Sequence, residues 1–249
     1  MHTRVKTDAE IKSMREGGQM LATVLNKLVL TAQVGMTTKD LAQVAGQELK
    51  ALGGKPSILG YQGFPDVICI SVNDEVVHGI PSDRVLKDGD IVSFDFCVTY
   101  RGMITDAARS TIIGQGSKAD QNLLKQTLSA LDAGIFAAHG GCRVGDIAAA
   151  VQTVLDKGNY GIVRDLVGHA VGHDMHEDPN IPNYGKAGTG PVLEPGMTIA
   201  IEPMSTRGDW RVRLNPDGWT IHTADGSQSA HFEDTILITP GGAEILTRL

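Results

Sequence analysis

Two aspartates placed eleven positions apart, Asp95 and Asp106, sit in IVSFDFCVTYRGMITD, the run from Ile91 to Asp106. Alternation with period two sets Ser93, Asp95, Cys97 and Thr99 on one face of a strand, and Val92, Phe94, Phe96, Val98 and Tyr100 on the other. Arg101-Gly102 signals a turn, so the chain returns as a second strand that carries Asp106. An acid in so apolar a strand is costly to bury unless a positive charge meets it, and no basic side chain is an obvious partner. A metal cation is the natural missing charge. Taken alone, the segment also allows one acid at a solvated edge and the other capping a turn. Two further acids have the same setting: Glu202 in TIAIEPM and Glu233 in SAHFEDTILIT. The segment GHAVGHDMHEDP (Gly168 to Pro179) adds His169, His173 and His176. Four carboxylates and one imidazole suit two divalent ions of the Mn, Fe, Co or Zn type better than a structural zinc. Two such ions about 3.5–4 Å apart can share a water, lower its pKa and polarise a carbonyl for its attack. Other histidines nearby would donate hydrogen bonds to the carbonyl and to the oxyanion that forms.

The elements that must position these side chains are legible from caps and periodicity. Thr7-Asp-Ala-Glu10 is a capping box that opens a helix with Ile11, Met14, Met20 and Leu21 as its apolar stripe. Thr37-Thr-Lys-Asp40 opens a second helix ending at Gly53-Gly54. Strands are expected from Val67 to Val72 and from Glu75 to His78, ahead of the central pair. Ser117 to Asp120 opens a third helix running to about His139, and Gly145-Asp146 starts a fourth running to about Lys157. From Tyr160 onward the pattern is strand and glycine-rich loop.

This order contains an echo. LKDGDIVSFDF at Leu86 answers LEPGMTIAIEP at Leu193, which sets Asp95 opposite Glu202. Asp106 before Thr111-Ile-Ile answers Glu233 before Thr235-Ile-Leu, and His78-Gly-Ile-Pro81 answers His176-Glu-Asp-Pro179. The period is too long for a solenoid. It implies one domain, residues 1–249, with pseudo-twofold halves of about 1–114 and 115–249 facing a shared cleft, Gly114 to Lys118 being the only soft junction. A formal charge of −7 argues against a nucleic-acid or anionic-membrane footprint. No apolar run approaches a membrane span, and the opening residues lack a signal-peptide core. Cys69, Cys97 and Cys142 are widely spaced with no CxxC pair, so neither a zinc knuckle nor a disulfide framework is expected, and the compartment implied is the reducing cytoplasm.

The ordered set resembles the type I methionine aminopeptidases of the pita-bread metallopeptidase family. The matching pieces are SVNDEVVHGIP at Ser71 to Pro81, Asp95 and Asp106, GHAVGHDMHEDP, LEPGMTIAIEPM, DGWT at Asp217 to Thr220, and SAHFEDTILIT at Ser229 to Thr239. The resemblance covers nearly the whole chain. It implies an α+β fold, a pseudo-twofold curved antiparallel sheet covered by two pairs of helices. It implies hydrolysis of the N-terminal methionine from nascent polypeptides whose second residue is small, by a monomer acting in the cytoplasm, with nascent N-termini, at the ribosome among other places, as its partners. By the same resemblance Asp95, Asp106, His169, Glu202 and Glu233 would hold two divalent cations (Co, Mn, Fe or Zn), with Asp106 and Glu233 bridging. His78 and His176 would contact the scissile peptide, and Glu202 would also shuttle protons. Tyr61, Phe64, Cys69, Met175 and Trp219 would line the pocket for the methionine side chain. Only 31 positions separate Glu202 from Glu233, which leaves no room for the helical insertion of the type II enzymes.

The chain departs from the family at several positions. Ala107-Ala108 follow Asp106 where Thr and then Ser or Cys are usual; His173 stands for Arg, Met175 for Phe, Gln62 for His and Asp234 for His. None removes a ligand. Two other functions remain open at this stage: a Pro-directed dinuclear peptidase on the same fold, and a peptide- or ribosome-binding protein that has lost catalysis. Taken singly, His78 reads as a turn histidine, Trp219 and Phe64 as core aromatics, and Cys69 as a small buried hydrophobe. His173 reads as structural or solvated, and His2, His139, His222 and His231 as surface or packing residues. Co-occurrence in order is what selects the catalytic reading.

Overall fold

A computed structural model describes residues 5–249; His2 lies outside them. The chain runs α1 (Asp8–Thr31), α2 (Thr38–Leu52), β1 (Lys55–Pro56), a 3-10 turn at Tyr61–Gly63, β2 (Cys69–Val72), β3 (Glu75–Val77), β4 (Ile91–Tyr100) and β5 (Met103–Ile112). It continues with α3 (Lys118–Ala137), α4 (Val144–Lys157), β6 (Gly161–Ile162), β7 (Gly168–Ala170), β8 (Glu177–Ile181), β9 (Thr198–Ile201) and β10 (Met204–Thr206). The remaining strands are β11 (Val212–Leu214), β12 (Ile221–Thr223), β13 (Ser229–His231), β14 (Glu233–Thr239) and β15 (Gly242–Ile245).

The main sheet has the order β1-β4-β5-β14-β9-β7-β8, with β2 added beside β4 and β15 beside β14, and its pairings are antiparallel. Its centre is the β5–β14 junction, where Glu233 lies opposite Ala108. On either side of that junction β4 answers β9 and β5 answers β14, the pairs that the internal echo aligns through Asp95/Glu202 and Asp106/Glu233. Alternation decides which face each residue takes. Phe94, Phe96 and Val98 join Leu21, Leu25, Leu41 and Leu49 in the core beneath α1 and α2. Ile199, Ile201, Ile236 and Ile238 join Leu131, Ile147, Val151 and Leu155 beneath α3 and α4. Two helix pairs thus cover one face of the sheet, and the acids point from the other. The expected α+β, pseudo-twofold architecture is the one observed.

Local chemistry explains the boundaries. Capping boxes at Thr7/Glu10, Thr37/Asp40 and Ser117/Asp120 open α1, α2 and α3, and Gly53 closes α2 in the left-handed region at φ 86. The strand expected from Val67 begins only at Cys69. The Val67 N–H is taken by the Asp66 carboxylate at 2.7 Å, which turns the backbone away from the ladder. The following strand stops at Val77 because His78 is left-handed, with φ 59.

Glu10 does more than close its capping box. Its Oε1 lies 2.7 Å from Nε2 of His173, and Glu177 accepts from the His173 N–H at 2.6 Å and from Lys6 Nζ at 2.7 Å. The first helix is thereby tied to the loop that carries Met175 and His176. The Thr7 backbone N–H, followed by His173, holds the Glu10 carboxyl down to about 2. A carboxyl lowered in the folded state stabilises above its unfolded pKa, near 4.5, and loses that contribution as pH falls towards 2. Glu10→Gln is expected to lower the melting temperature at pH 7 by roughly 2–4 °C, the equivalent of about 1 kcal/mol. The difference should shrink below about pH 4.5 and vanish only below about pH 2 in acid-dependent thermal melts.

Candidate metal centre and peptide site

The five residues expected to hold cations come together on the face of the sheet away from the helices. Asp95 lies in β4, opposite Cys69 and Ala108; Asp106 lies in β5, opposite Cys97; Glu233 opens β14. His169 lies in β7, and Glu202 follows the last residue of β9. Ligand atoms of Asp106, His169 and Glu233 all fall within 4.8 Å of one another, as do those of Asp95, Cys97 and Asp106. His169 Nε2 stands 3.6 Å from Glu202 Oε1. His169 Nδ1 faces the Ala170 carbonyl at 3.0 Å. A carbonyl only accepts, so Nδ1 carries the proton and the Nε2 lone pair faces the acids, as a metal-ligating imidazole requires.

Thr235 pins the junction that brings Asp106 and Glu233 together. Its hydroxyl accepts from the Asp106 N–H at 2.9 Å and donates to the Asp106 carbonyl at 2.7 Å. Arg109 donates to the Glu233 carbonyl and, at 2.6 Å, to the Asp234 carboxylate. Asp234 also accepts from Thr247 at 2.8 Å and from Arg248 at 2.7 Å. This accounts for an acid at position 234: two guanidinium groups meet it. Ala108 faces Asp95 on one side and Glu233 on the other, so its small side chain leaves the space between them open.

Oδ1 of Asp106 and Oε1 of Glu233 are buried with no hydrogen-bond partner among the described residues. Among the described residues, no Lys or Arg forms an ion pair with Asp95, Asp106, Glu202 or Glu233. Burial, then the charge of Asp106, pushes Asp95 well above the usual carboxylate range; burial and the same neighbouring acids do so for Glu202 and Glu233. Asp106 is pushed up to about 6 by burial, against hydrogen bonds from the Cys97 thiol and the Ala107 N–H. Orphaned oxygens and clustered hard donors fit divalent cations.

Beside the acids is a cavity of about 210 Å³. His78, His176, Tyr61, Met175 and Trp219 line it, together with Asp95, Asp106, His169, Glu202 and Glu233. Ile58, Gln62, Cys97, Leu166 and Val167 also line it, none of which was picked out for this role from the sequence. Phe64 and Cys69 do not reach its surface. They back its wall in a cluster with Ile58, Cys97 and Met175, Phe64 meeting Trp219 edge-on at 5.1 Å between ring centres. His78 has the backbone of a turn residue, yet its ring faces the cavity, 6.2 Å from Trp219. The Tyr61 hydroxyl lies 3.2 Å from His176 Nδ1, and the His176 ring stands against His169 at 4.5 Å. Burial, followed by the charge of His176, holds His78 down to about 4, and burial also lowers His176, so both rings are neutral at pH 7. His231, expected as a surface or packing residue, is 1% exposed, and its Nε2 lies 3.7 Å from Glu202 and 3.8 Å from Glu233. Its sequence context, a strand residue in SAHFED, carries no sign of this. His139 is exposed, and His222 pairs with Asp74 at 3.0 Å, remote from the acids.

The sequence model described as Metallopeptidase family M24 matches residues 12–240. The chain belongs to this family. Methionine aminopeptidase 1 of Bacillus subtilis is 45% identical over 98% of each chain, and a methionine aminopeptidase of Clostridium acetobutylicum is equally similar over the same shares. The crystal structure of the Thermotoga maritima methionine aminopeptidase superposes with a TM-score of 0.98 at 44% identity over the full length of both chains. The prolidase of Pyrococcus furiosus shares the fold, with a TM-score of 0.79 at 22% identity, and this chain spans 65% of its length. No helix among the described residues is long and apolar enough to cross a membrane.

Protons and cations compete for the same oxygens. With the Asp106 carboxyl pushed up to about 6, cation binding at pH 5 must displace a proton that is absent at pH 7.5. Adding Mn²⁺ to metal-stripped protein is expected to raise the melting temperature more at pH 7.5 than at pH 5. Asp106→Ala should abolish the increment at both.

Proposed function

We propose that this protein is a methionyl aminopeptidase that removes the N-terminal methionine from newly made polypeptides whose second residue is small. The observation that carries the reading is the near-full-length similarity to methionine aminopeptidases, at 45% identity, in a chain whose five metal-ligand candidates converge beside a half-apolar cavity. Asp95, Asp106, His169, Glu202 and Glu233 would hold two divalent cations, of Co, Mn, Fe or Zn. Four carboxylates bring four negative charges, which two divalent ions neutralise. When bound, such ions lower the pKa of water and polarise a carbonyl.

The protein groups divide the remaining work. His78 and His176, neutral at working pH, each offer a ring N–H to the scissile peptide and to the oxyanion that develops on its carbonyl. Tyr61 steadies His176 through its Nδ1. Glu202 accepts the proton of the attacking water and returns it to the departing amine. Met175, Trp219 and Tyr61 surround an unbranched thioether, whose sulfur is favoured beside aromatic rings; Phe64 and Cys69 support that wall from behind. The narrow cleft favours a small second residue. The chain acts as a single-domain monomer in the cytoplasm, on nascent N-termini.

Met-Ala-Ser is expected to turn over with Mn²⁺, Co²⁺ or Fe²⁺, while Leu-Ala-Ser and Xaa-Pro dipeptides are poor substrates. Cleavage of Xaa-Pro in preference to Met-Ala would replace this reading with a prolidase activity, and no turnover with any metal would leave a binding protein. His176→Ala should lower kcat by roughly 10²–10³ with the metal content unchanged, as expected on losing one oxyanion donor.

A further inference from the structure

His231 is held rigidly where its ring can act on two of the acids at once. It ends β13, paired with Met204 of β10. A single hydroxyl brackets its backbone: Ser110 Oγ accepts from the His231 N–H at 2.9 Å and donates to the His231 carbonyl at 2.8 Å. Ser110 is itself held by Ser93 at 2.7 Å. The ring is buried, and among the described residues neither nitrogen has a hydrogen-bond partner. Such a group is costly to leave unmatched inside a protein. Nε2 points between Glu202 Oε2, at 3.7 Å, and Glu233 Oε2, at 3.8 Å, a few tenths of an ångström beyond hydrogen-bond reach of both.

We propose that His231 is a positioning residue of the metal centre, donating its Nε2–H to the carboxylates of Glu202 and Glu233 and so holding their other oxygens toward the cations. A carboxylate accepts and cannot donate, so the nitrogen facing two of them carries the proton. A small rotation of either carboxylate would close the gap. The position argues for a donor and against a sixth ligand. All five ligand candidates line the cavity, and His231 does not. It faces two acids of the second half, since Glu202 follows β9 and Glu233 opens β14, while Ser110 of the first half fixes its backbone. The proposal rests on the metal-centre reading above.

The test compares wild type, His231→Gln and His231→Leu. It uses calorimetric titration of Mn²⁺ into metal-stripped protein, the visible spectrum of the Co²⁺ form, and melting of the stripped protein. Glutamine places an amide N–H near the position of Nε2; leucine fills the space without a donor. Expected are roughly wild-type Mn²⁺ affinity for H231Q with an unchanged Co²⁺ spectrum, and a loss of about 10–100-fold for H231L. If H231L does not fold, His231→Asn, whose shorter amide does not reach, takes its place. Wild-type affinity in H231L, or melting losses alone with affinity intact, would overturn the proposal in favour of simple packing. H231Q as weak as H231L, with a changed Co²⁺ spectrum, would overturn it by making His231 a ligand. If wild type binds no divalent cation, the metal centre itself fails and the proposal with it; if wild type binds and the variants match it, only the proposal fails.

Discussion

Four carboxylates forced into one poorly solvated spot are the constraint that the rest of the structure answers. Like charges at a few ångströms in a medium less polarisable than water repel strongly, and desolvation adds to the cost. No described Lys or Arg pairs with Asp95, Asp106, Glu202 or Glu233. The nearby histidines are held neutral by burial, His169 down to about 4 and His231 to about 3. Protein groups alone leave the acids either protonated or frustrated, and bound cations would relieve both conditions.

Holding such a cluster requires a scaffold stiff enough to resist its own repulsion. The β5–β14 junction supplies it. Paired hydrogen bonds from Thr235 lock Asp106 in place, and Arg109 grips the Glu233 carbonyl from the side away from the site. The cations Arg109 and Arg248 are spent on Asp234, which keeps their charge away from the acid cluster. The two helix pairs contribute by burying the opposite face of the same strands, where Phe94, Phe96, Ile199 and Ile201 pack. Each strand therefore does two jobs, and the alternation of its side chains keeps them apart.

What the sequence revealed follows from how local each signal is. The strand–turn–strand unit around Asp95 and Asp106 was legible because period-two alternation and Arg101-Gly102 are local. So were the helix starts, since a cap and its partner lie three residues apart. The echo between halves aligned Glu202 and Glu233 with Asp95 and Asp106, and in the sheet β4 and β9 flank the β5–β14 junction. Long-range geometry was not legible. His231 and Asp234 acquire their surroundings from Ser110, Arg109, Glu202 and Arg248, which are remote in the chain. Phe64 and Cys69 were expected at the pocket surface, yet stand one layer behind it, because Ile58 and Cys97 come forward from other segments. The Val67 strand start failed because Asp66 captured a backbone N–H, a competition that hydropathy does not register.

Anomalous diffraction from crystals soaked in Mn²⁺, recorded at the manganese absorption edge, tests the central claim most directly. Two peaks about 3.5–4 Å apart, enclosed by Asp95, Asp106, His169, Glu202 and Glu233, are the expected result. Peaks elsewhere on the molecule, with these five side chains unliganded at saturating Mn²⁺, would contradict it.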